Sequence, residues 1–397
     1  MPYLIKDLND VAGERTTRGS RFSADTPAIA NDPMPQKAID AGLVIVGKTN
    51  TPEFGLLPTT ESIRLGPCHN PWNLDCSPGG SSGGAAVAVA AGLVPAAHAA
   101  DSGGSIRIPS SCCAVFGLKP SRWRMNLGQE NTVMGGTLAE NCVSRTVRDN
   151  AMLFSLTENT GDFARFKPIG FVAGPAKRRL RIAFGTTSCF GTEPHPDVKA
   201  AVEASAKLCE SLGHTIVPAQ NPVDGQAFYE AFAVVWSSLP AMLVPLAKSK
   251  NLNPENVFEP FTLELADYAM KLPPDALPQA WAVFKETEAQ VDAFMANYDA
   301  WLTPVLALPP VRLGELAPTV DLKTLTERRM HYVVYTQIHN VAGTPAMSAP
   351  LGMSQDGLPI GSQFAAAKGR EDLLYALAYE LEAAQPWATR TPKVWMG

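Results

Sequence analysis

The sequence predicts an α/β fold in which α-helices surround a central mixed, mostly parallel β-sheet. Three observations favour this class. Short apolar runs of strand length alternate with helical patterns in the first third of the chain, which is typical of helices packed around a sheet. The 397 residues are 46% hydrophobic and long enough to bury a large core without help from metals or disulfides. Charged residues make up only 18%, which excludes a disordered chain and a coiled coil.

The individual strands and helices are predicted from hydrophobic periodicity. A continuous, mostly β-branched run at 43–46 favours a fully buried strand, and the alanine-rich stretch 85–91 favours a helix that leads into a strand at 93–100. Segments 196–212 and 276–297 carry their charges on one face, as amphipathic helices do. The other strands are expected at 3–5, 300–306 and 358–365, and the other helices at 35–41, 110–117 and 370–384. Because no repeat and no long linker interrupts the pattern, residues 1–397 are expected to form a single domain.

Composition and charge exclude several classes of protein. A net charge of −5 provides no general basic field for nucleic acid, and the apolar stretch 85–100 is too short and interrupted to span a membrane. The seven cysteines contain no CxxC pair, so neither a disulfide framework nor a thiolate zinc site is predicted. With no signal-peptide pattern at the N-terminus, the prediction is a cytoplasmic protein that needs no metal, cofactor, nucleic acid or membrane.

Two segments rich in glycine and serine are the main candidates for a functional site. Ser77-Pro-Gly-Gly-Ser-Ser-Gly-Gly84 precedes the predicted helix and strand at 85–100, and Asp101-Ser-Gly-Gly-Ser-Ile-Arg107 follows them. Flexible turns are one interpretation. The other starts from their position at the edge of a rigid core, where glycines let backbone N–H groups approach and bind an anion. A serine beside such donors is well placed as a nucleophile.

A nucleophilic serine needs a base, and the sequence offers few candidates. His98 lies in an alanine-rich run that is typical of a core, and the residues around Ser105 do not form a GxSxG elbow. Lys6 stands in an otherwise apolar strand, where burial would favour its neutral form. The residues alone leave an alternative open, in which Lys6 pairs with Asp7 on a surface turn.

In this order, the two serine segments resemble the amidase signature family of serine hydrolases, and within it the bacterial amidases that act on cyclic or aryl amides. Further similar stretches extend the resemblance over nearly the whole chain, namely Pro2-Tyr-Leu-Ile-Lys-Asp7, Gly47-Lys-Thr-Asn-Thr-Pro-Glu-Phe54, Gly117-Leu-Lys-Pro120, Asn340-Val-Ala-Gly-Thr-Pro-Ala346, Gly357-Leu-Pro-Ile-Gly-Ser-Gln363 and Gly369-Arg-Glu-Asp372. The resemblance implies the amidase signature fold. It also implies hydrolysis of a carboxylic amide C–N bond, with a small-molecule amide and water as substrates.

Carried over by position, the family's Ser–cis-Ser–Lys triad falls on Ser105 as nucleophile, Ser81 as proton carrier and Lys6 as base. Ser81 is chosen because it lies twenty-four residues before Ser105, which is the spacing of the family, and its peptide bond with Gly80 is expected to be cis. The other implied site residues are Ser82, Asp101 and Arg107, which support the triad and its loop, and Ser102, Gly103, Gly104 and Ser105, whose backbone N–H groups would hold the oxyanion.

Departures from the family leave alternatives open. The family carries helices before the lysine strand, whereas this sequence starts at that strand, so a shortened N-terminus, self-association through an uncovered sheet edge and weak or absent catalysis are all considered. The same site would also serve an esterase, a carbamate hydrolase or an A-type subunit of a glutamine amidotransferase. Pocket walls are expected from 120–140 and 225–340, where the candidates are Trp123, Phe228, Phe232, Trp236 and Met330.

One further motif points to a different class of protein. Residues 42–49, Gly-Leu-Val-Ile-Val-Gly-Lys-Thr, satisfy the GxxxxGK[ST] pattern of a phosphate-binding loop. In such a loop the strand comes before the first glycine, whereas here the strand residues lie between the two glycines. Nucleotide binding is therefore not predicted, and Lys48 is interpreted as a structural lysine.

Overall fold

A ten-stranded β-sheet forms the centre of the molecule. The computed structural model describes residues 1–125, 136–161 and 164–396. The strands are β1 (Pro2–Lys6), β2 (Val44–Thr49), β3 (Glu61–Ser62), β4 (Gly66–Pro67), β5 (Ala96–Asp101), β6 (Phe116–Lys119), β7 (Ala139–Ser144), β8 (Arg181–Phe184), β9 (Thr215–Pro218), β10 (Ala300–Pro304), β11 (Ala346–Met353) and β12 (Pro359–Ala365). The order across the sheet is β2-β1-β5-β7-β6-β11-β12-β10-β8-β9, and β3 and β4 form a separate pair.

The sheet is mixed, as predicted, but the prediction that most of its strands are parallel is wrong. Parallel pairs join β1 to β2 and β5 at one edge, and β8 to β9 and β10 at the other. The five pairs between them, from β5–β7 to β10–β12, are antiparallel. One reason is that β11 and β12 are consecutive strands joined by a tight turn, in which Ser354 N–H donates to the carbonyl oxygen of Leu358. Strands joined by so short a turn can pair only in the antiparallel sense.

Helices cover the sheet and contribute to two large apolar clusters. Those in the described residues are α1 (Pro33–Asp40), α2 (Gly83–Ala90), α3 (Arg107–Cys113), α4 (Val147–Thr157), α5 (Pro196–Ser211), α6 (Gly225–Ser249), α7 (Pro254–Val257), α8 (Pro260–Met270), α9 (Ala276–Met295), α10 (Leu322–Tyr332), α11 (Gln337–Ala342) and α12 (Glu371–Ala384). One cluster contains α2, α3, α6 and α9, and the other contains α4, α5 and α12. The two serine-rich segments lie next to the first cluster, because the first segment leads into α2 and the second lies between β5 and α3.

Two predicted elements differ from the structure. The run 43–46 is predicted to be fully buried, but β2 is the edge strand of the sheet, and Val44 and Val46 are 61% and 55% exposed. The helix expected at 110–117 is α3, which begins earlier, and Ala114 ends it in a left-handed conformation before β6 starts. The remaining predicted strands and helices coincide with described elements to within three residues at each end.

Helix α6 is, among the described residues, the one helix long and apolar enough to cross a membrane by length and composition alone. It contains Pro240 and Pro245. Phe232 and Trp236 are buried on the face of α6 that packs in the first apolar cluster, where Leu265 of α8 and Phe284 of α9 also lie. Of the most apolar stretch of α6, 44% is buried inside the protein, which fits a helix that packs one face against the core.

Candidate active site

A lysine on the first strand meets the first serine-rich loop inside the protein. Lys6 ends β1, and only 1% of its surface is exposed. Its Nζ atom donates hydrogen bonds to Oγ of Ser81 at 2.7 Å and to Oγ of Ser82 at 2.9 Å. The alternative in which Lys6 pairs with Asp7 on a surface turn is wrong, because Lys6 is buried and Asp7 forms its ion pair with Lys48, at 3.1 Å.

The charge of the Lys6 amine is set by burial and by its neighbours. Burial lowers the pKa of Lys6 from 10.5 to about 7, while the nearby carboxylates of Asp101 and Glu140 oppose this by raising it. His98 on β5 accepts a hydrogen bond from the backbone N–H of Lys6 through Nδ1, at 3.4 Å. Burial, together with the charge of Lys6, lowers the pKa of His98 to about 3. His98 is therefore a neutral core residue, whereas the amine of Lys6 can accept a proton at neutral pH. Burial also lowers the pKa of Lys119 to about 7, but its Nζ atom donates to the carbonyl oxygen of Pro120 rather than to a serine of the two loops.

The first serine loop is tightly held where it leads into α2. The peptide bond between Gly80 and Ser81 is cis, as the resemblance implies. A Cβ atom on Gly80 would lie 2.6 Å from the carbonyl oxygen of Thr59, so that no larger residue fits there without moving the backbone. Ser82 donates a hydrogen bond to the carbonyl oxygen of Ala100 at 3.2 Å. This bond ties the first loop to the strand that carries the second loop.

Ser105 lies in the second loop, between β5 and α3, at the wall of a narrow cleft. Gly55 lines the same cleft and also approaches Ser81, because a Cβ atom on Gly55 would lie 3.0 Å from the Ser81 Oγ atom. Within the described residues, no hydrogen bond joins the hydroxyl of Ser105 to that of Ser81. Of the two hydrogen bonds that the predicted triad requires, the one between Lys6 and Ser81 is thus formed, whereas the one between Ser81 and Ser105 is not formed.

A buried ion pair holds the second loop. Arg107 donates from Nε and Nη2 to the two carboxylate oxygens of Asp101, at 2.9 Å each, and both side chains are fully buried. Burial alone would raise the pKa of Asp101, but the charge and hydrogen bonds of Arg107 hold it well below its usual range. Arg107 also donates to the carbonyl oxygen of Thr336 and to Oδ1 of Asn340. Sequence reasoning had no individual signal for Thr336 and Asn340 beyond the family-like stretch that begins at Asn340.

The backbone N–H groups of the second loop are not equivalent. That of Gly104 donates to Oδ1 of Asp101 at 2.7 Å, so it is engaged within the loop, and the prediction that Gly104 donates to an oxyanion must be corrected. In the described part of the chain, the N–H groups of Ser102, Gly103 and Ser105 have no assigned acceptor. These three are the donors available to an anion beside Ser105.

Comparison with known proteins identifies the family to which this arrangement of Lys6 and the two serine loops belongs. The sequence model of the Amidase family matches residues 1–375. The chain belongs to the amidase signature family. AmiC of Mycobacterium tuberculosis, which is named as an amidase, is 39% identical over 392 residues, which cover 98% of this chain and 82% of AmiC. The 6-aminohexanoate-cyclic-dimer hydrolase of Paenarthrobacter ureafaciens is 33% identical over 429 residues, which cover 99% of this chain and 85% of that enzyme.

The fold of this amidase is also that of solved amidase signature enzymes. A structure of 6-aminohexanoate cyclic dimer hydrolase complexed with substrate superposes with a TM-score of 0.91 at 31% identity, over 99% of this chain and 86% of that one. The predictions of an amidase signature fold and of an amide hydrolase are therefore confirmed.

The cleft of the amidase has aromatic walls, which were only partly predicted. Phe232 and Trp236 line it, with their rings stacked 5.2 Å apart. Phe228 packs behind them in the core, and Trp123 lies under the guanidinium of Arg165. Like Met330, Phe228 and Trp123 do not border the cleft, and residues 126–135 of the predicted wall lie outside the described residues. Tyr229, Arg329, Val333 and Gln337 lie in the predicted region 225–340 but were not named individually, whereas Gly55, Leu56, Leu57, Pro58 and Ile108 were not anticipated as lining residues.

The other candidate sites have structural explanations. Most of the segment 42–49 is the strand β2, so its two glycines do not enclose a phosphate-binding turn. The seven cysteines are free thiols. In the parts of the chain that the structure describes, no three His, Cys, Asp or Glu side chains are grouped to hold a metal ion.

Proposed function

We propose that this amidase hydrolyses the C–N bond of a small-molecule carboxylic amide through an acyl-enzyme on Ser105, with Ser81 and Lys6 as the proton relay. The observation that carries the proposal is the position of Lys6. Its amine is buried, its pKa is lowered to about 7, and its Nζ atom is 2.7 Å from the Ser81 hydroxyl. An amine that is neutral at physiological pH can accept a proton, whereas an ordinary exposed lysine stays charged.

In the first half-reaction, the Oγ atom of Ser105 forms a bond to the amide carbonyl carbon. Its proton passes to Ser81 as the Ser81 proton passes to neutral Lys6. The negative charge that develops on the carbonyl oxygen is held by the backbone N–H groups of Ser102, Gly103 and Ser105. Loss of a single such donor costs about 3–4 kcal/mol of barrier in other hydrolases. Substrate binding brings the reacting atoms together and closes the gap between Ser81 and Ser105.

Collapse of the tetrahedral intermediate that Ser105 forms completes acylation, and hydrolysis of the acyl-enzyme in the second half-reaction restores the enzyme. The C–N bond breaks as the leaving nitrogen takes a proton back from Lys6 by way of Ser81, and the amine departs. Water then gives a proton to the same relay and attacks the ester carbonyl of acylated Ser105. The C–O bond to Ser105 breaks, Ser105 regains its proton, and the carboxylic acid is released.

The decisive experiment is labelling with a fluorophosphonate probe, which reacts with an activated serine. We expect the wild type to be labelled and Ser105→Ala to lose both labelling and hydrolysis of a chromogenic anilide. Ser110→Ala is the matched control, because Ser110 is also buried, lies five residues further along, and bonds the carbonyl oxygen of Ile106. Labelling that persists in Ser105→Ala, or a wild type that is not labelled, would contradict the proposal.

Substrate comparison separates the related activities. Amide, ester and carbamate substrates with one acyl group, together with glutamine, are compared by kcat/KM. Preference for the amide supports the proposal, whereas preference for the ester, the carbamate or glutamine would assign the same serine to one of the alternatives.

Location and assembly are proposed from the thiols and from the sheet edge. The seven free thiols support a reducing compartment, and hence the cytoplasm. The exposed Val44 and Val46 on the edge strand β2 support self-association through that edge. Sedimentation at micromolar concentration tests the proposed self-association. An active protein that sediments as a monomer would contradict it. The single domain predicted for 1–397 is tested by one cooperative unfolding transition.

A further inference from the structure

The cleft that borders Ser105 adjoins a second and larger cavity, here called the outer chamber. Four residues line both spaces, namely Tyr229, Phe232, Trp236 and Arg329. The shared wall begins beside the second serine loop, because a Cβ atom on Gly103 would lie 3.2 Å from the ring of Phe232 and 3.6 Å from that of Trp236. The outer chamber is therefore the space next to Ser105 into which the remote part of a substrate would reach along these rings.

Most of the outer chamber is apolar. Leu265 of α8 and Leu322 of α10 face the same space as the shared aromatic residues, and Tyr268 contributes a further ring. A concave apolar cavity with few polar groups binds a hydrocarbon chain or an aromatic ring, and its polar groups set the orientation of the ligand. The chemical class of the substrate therefore depends on the few polar side chains at its walls.

Arg329 is the cation among these polar side chains. It lies in the last turn of α10 and is partly exposed, with its guanidinium carbon 5.3 Å from the centre of the Phe261 ring. Within the residues that the structure describes, no ion pair is formed by Arg329. Its neighbour Arg328 differs, because it donates to the carbonyl oxygen of Glu315 at 2.7 Å and does not line the chamber.

An unpaired arginine beside an apolar cavity favours one kind of ligand group. The guanidinium stays charged at every physiological pH, and its planar set of N–H donors matches a carboxylate. Because the guanidinium of Arg329 stacks on the Phe261 ring, its in-plane N–H groups remain free to bind a carboxylate. The acidic residue among the described lining residues is Glu230, which is exposed and accepts a hydrogen bond from Gln226 rather than pairing with Arg329.

We propose that this amidase selects amides that carry a carboxylate remote from the scissile bond, separated from it by an apolar chain or ring in the outer chamber, and that Arg329 binds this carboxylate. The inference rests on the proposed function, because it assigns the specificity of the site at Ser105. Arg329 thus determines specificity without taking part in bond cleavage.

The test compares matched pairs of p-nitroanilides. One member has a linear alkanoyl group, and the other has the same number of carbon atoms but ends in a carboxylate. A second series places the carboxylate on the leaving amine, with N-acetyl alkylamines compared to N-acetyl ω-amino acids. The outer chamber accepts either the acyl group or the leaving amine, so we expect only one of the two series to show a preference. In that series kcat/KM should favour the carboxylated member by about tenfold or more at an optimal chain length. A preference of this size corresponds to one charge-assisted contact.

Variants of the chamber identify the residue responsible. Arg329→Gln should remove the preference for the carboxylated member, and Arg329→Lys should retain part of it because the charge is kept. Arg328→Gln is the matched control and should keep the whole preference. Glu230→Gln should increase the preference, since it removes a negative charge from the chamber wall.

The outcome separates this inference from the proposed function. If neutral anilides are cleaved in a Ser105-dependent manner but neither series prefers the carboxylated member, the inference is overturned and the proposed function stands. The inference is also overturned if the preference survives in Arg329→Gln. If Ser105→Ala retains activity, the proposed function itself fails.

Discussion

The Nζ atom of Lys6 lies 2.7 Å from the Oγ atom of Ser81, although 75 positions separate the two residues in the chain. The contact exists because β1 pairs in parallel with β5, which directs both strands toward the two serine loops. Ser82 completes the arrangement by bonding both Lys6 and the end of β5. The buried amine of Lys6, the Ser81 hydroxyl and the loop that carries Ser105 are thereby held at one end of two adjacent strands.

The pH dependence of catalysis should report the protonation of Lys6. Burial lowers its pKa to about 7, against the opposing effect of Asp101 and Glu140, and only the neutral amine accepts a proton. We therefore expect kcat/KM to rise as the pH passes about 7 and to level off above it. Measurement of kcat/KM on a neutral anilide between about pH 5 and pH 9 checks this, and a profile that falls through pH 7 would exclude Lys6 as the base.

Glu140 should control the midpoint of that profile. Burial raises the pKa of Glu140 itself to about 7, and its carboxylate raises the pKa of Lys6 when it is ionised. Glu140→Gln removes this charge at every pH and should move the rise of kcat/KM to lower pH. Glutamine can keep the hydrogen bond that Asn9 donates to Glu140 at 2.7 Å. Glu382→Gln serves as the control, since Glu382 lies on α12 and binds the backbone N–H of Val147. A midpoint that stays in place or moves upward in Glu140→Gln would refute this role.

Ser81 and Ser82 should differ in their effects, although both bond Lys6. Ser81→Ala removes the proposed proton carrier, and we expect kcat to fall by about 10²–10⁴. Ser82→Ala leaves the proposed proton carrier in place and removes the contacts that position Lys6 and tie the first loop to Ala100, so a loss of about tenfold is expected, with little change in KM. Single-turnover acylation rates measure both effects. Losses of equal size would show that the two hydroxyls do not have separate roles.

The ion pair in the second loop should contribute strongly to stability. Arg107→Met leaves the fully buried carboxylate of Asp101 without its main partner, and such a change costs about 3–5 kcal/mol of the free energy of unfolding. The control is Lys271→Met, which breaks an exposed pair with Asp267 and should cost at most about 1 kcal/mol. Urea unfolding measures both values, and similar costs for the two variants would contradict the argument.

A side chain at Gly104 should be excluded both by backbone strain and by a steric clash, and a control variant separates these two effects. Its φ angle is +132°, and a Cβ atom there would lie 2.3 Å from Oγ1 of Thr336. Gly104→Ala should shift the loop that carries Ser105, and a displacement near 1 Å reduces kcat by about 10². Gly357 has a φ angle of +75°, and no atom lies within 4 Å of the position that a Cβ atom would take, so Gly357→Ala introduces strain without a clash. It should lose about 1 kcal/mol of stability and keep its kcat, whereas an equal loss of kcat would show that the clash is unimportant.

Much of the site was predictable because its residues lie in two short segments. The pattern of glycines and serines around Ser81 and Ser105 carries local information about tight backbone approach, and an apolar strand around Lys6 indicates burial. Thr336, Asn340 and Arg329 were not predictable in the same way. Each is an ordinary polar residue in its own segment. Thr336 and Asn340 bond the second loop across more than 200 residues of sequence, and Arg329 lines a cleft whose other walls come from distant segments.

By itself, the sequence determined most of the strands and helices and where the serine loops lie, because periodicity and glycine-rich turns are local properties. It left open whether Lys6 is buried or pairs with Asp7 on the surface. Only the tertiary structure decided that most strand pairs are antiparallel, that β2 is an exposed edge strand, and that Gly104 donates its N–H to Asp101. Strand pairing, edge exposure and hydrogen-bond partners depend on segments far apart in the chain. No local pattern of residues specifies them.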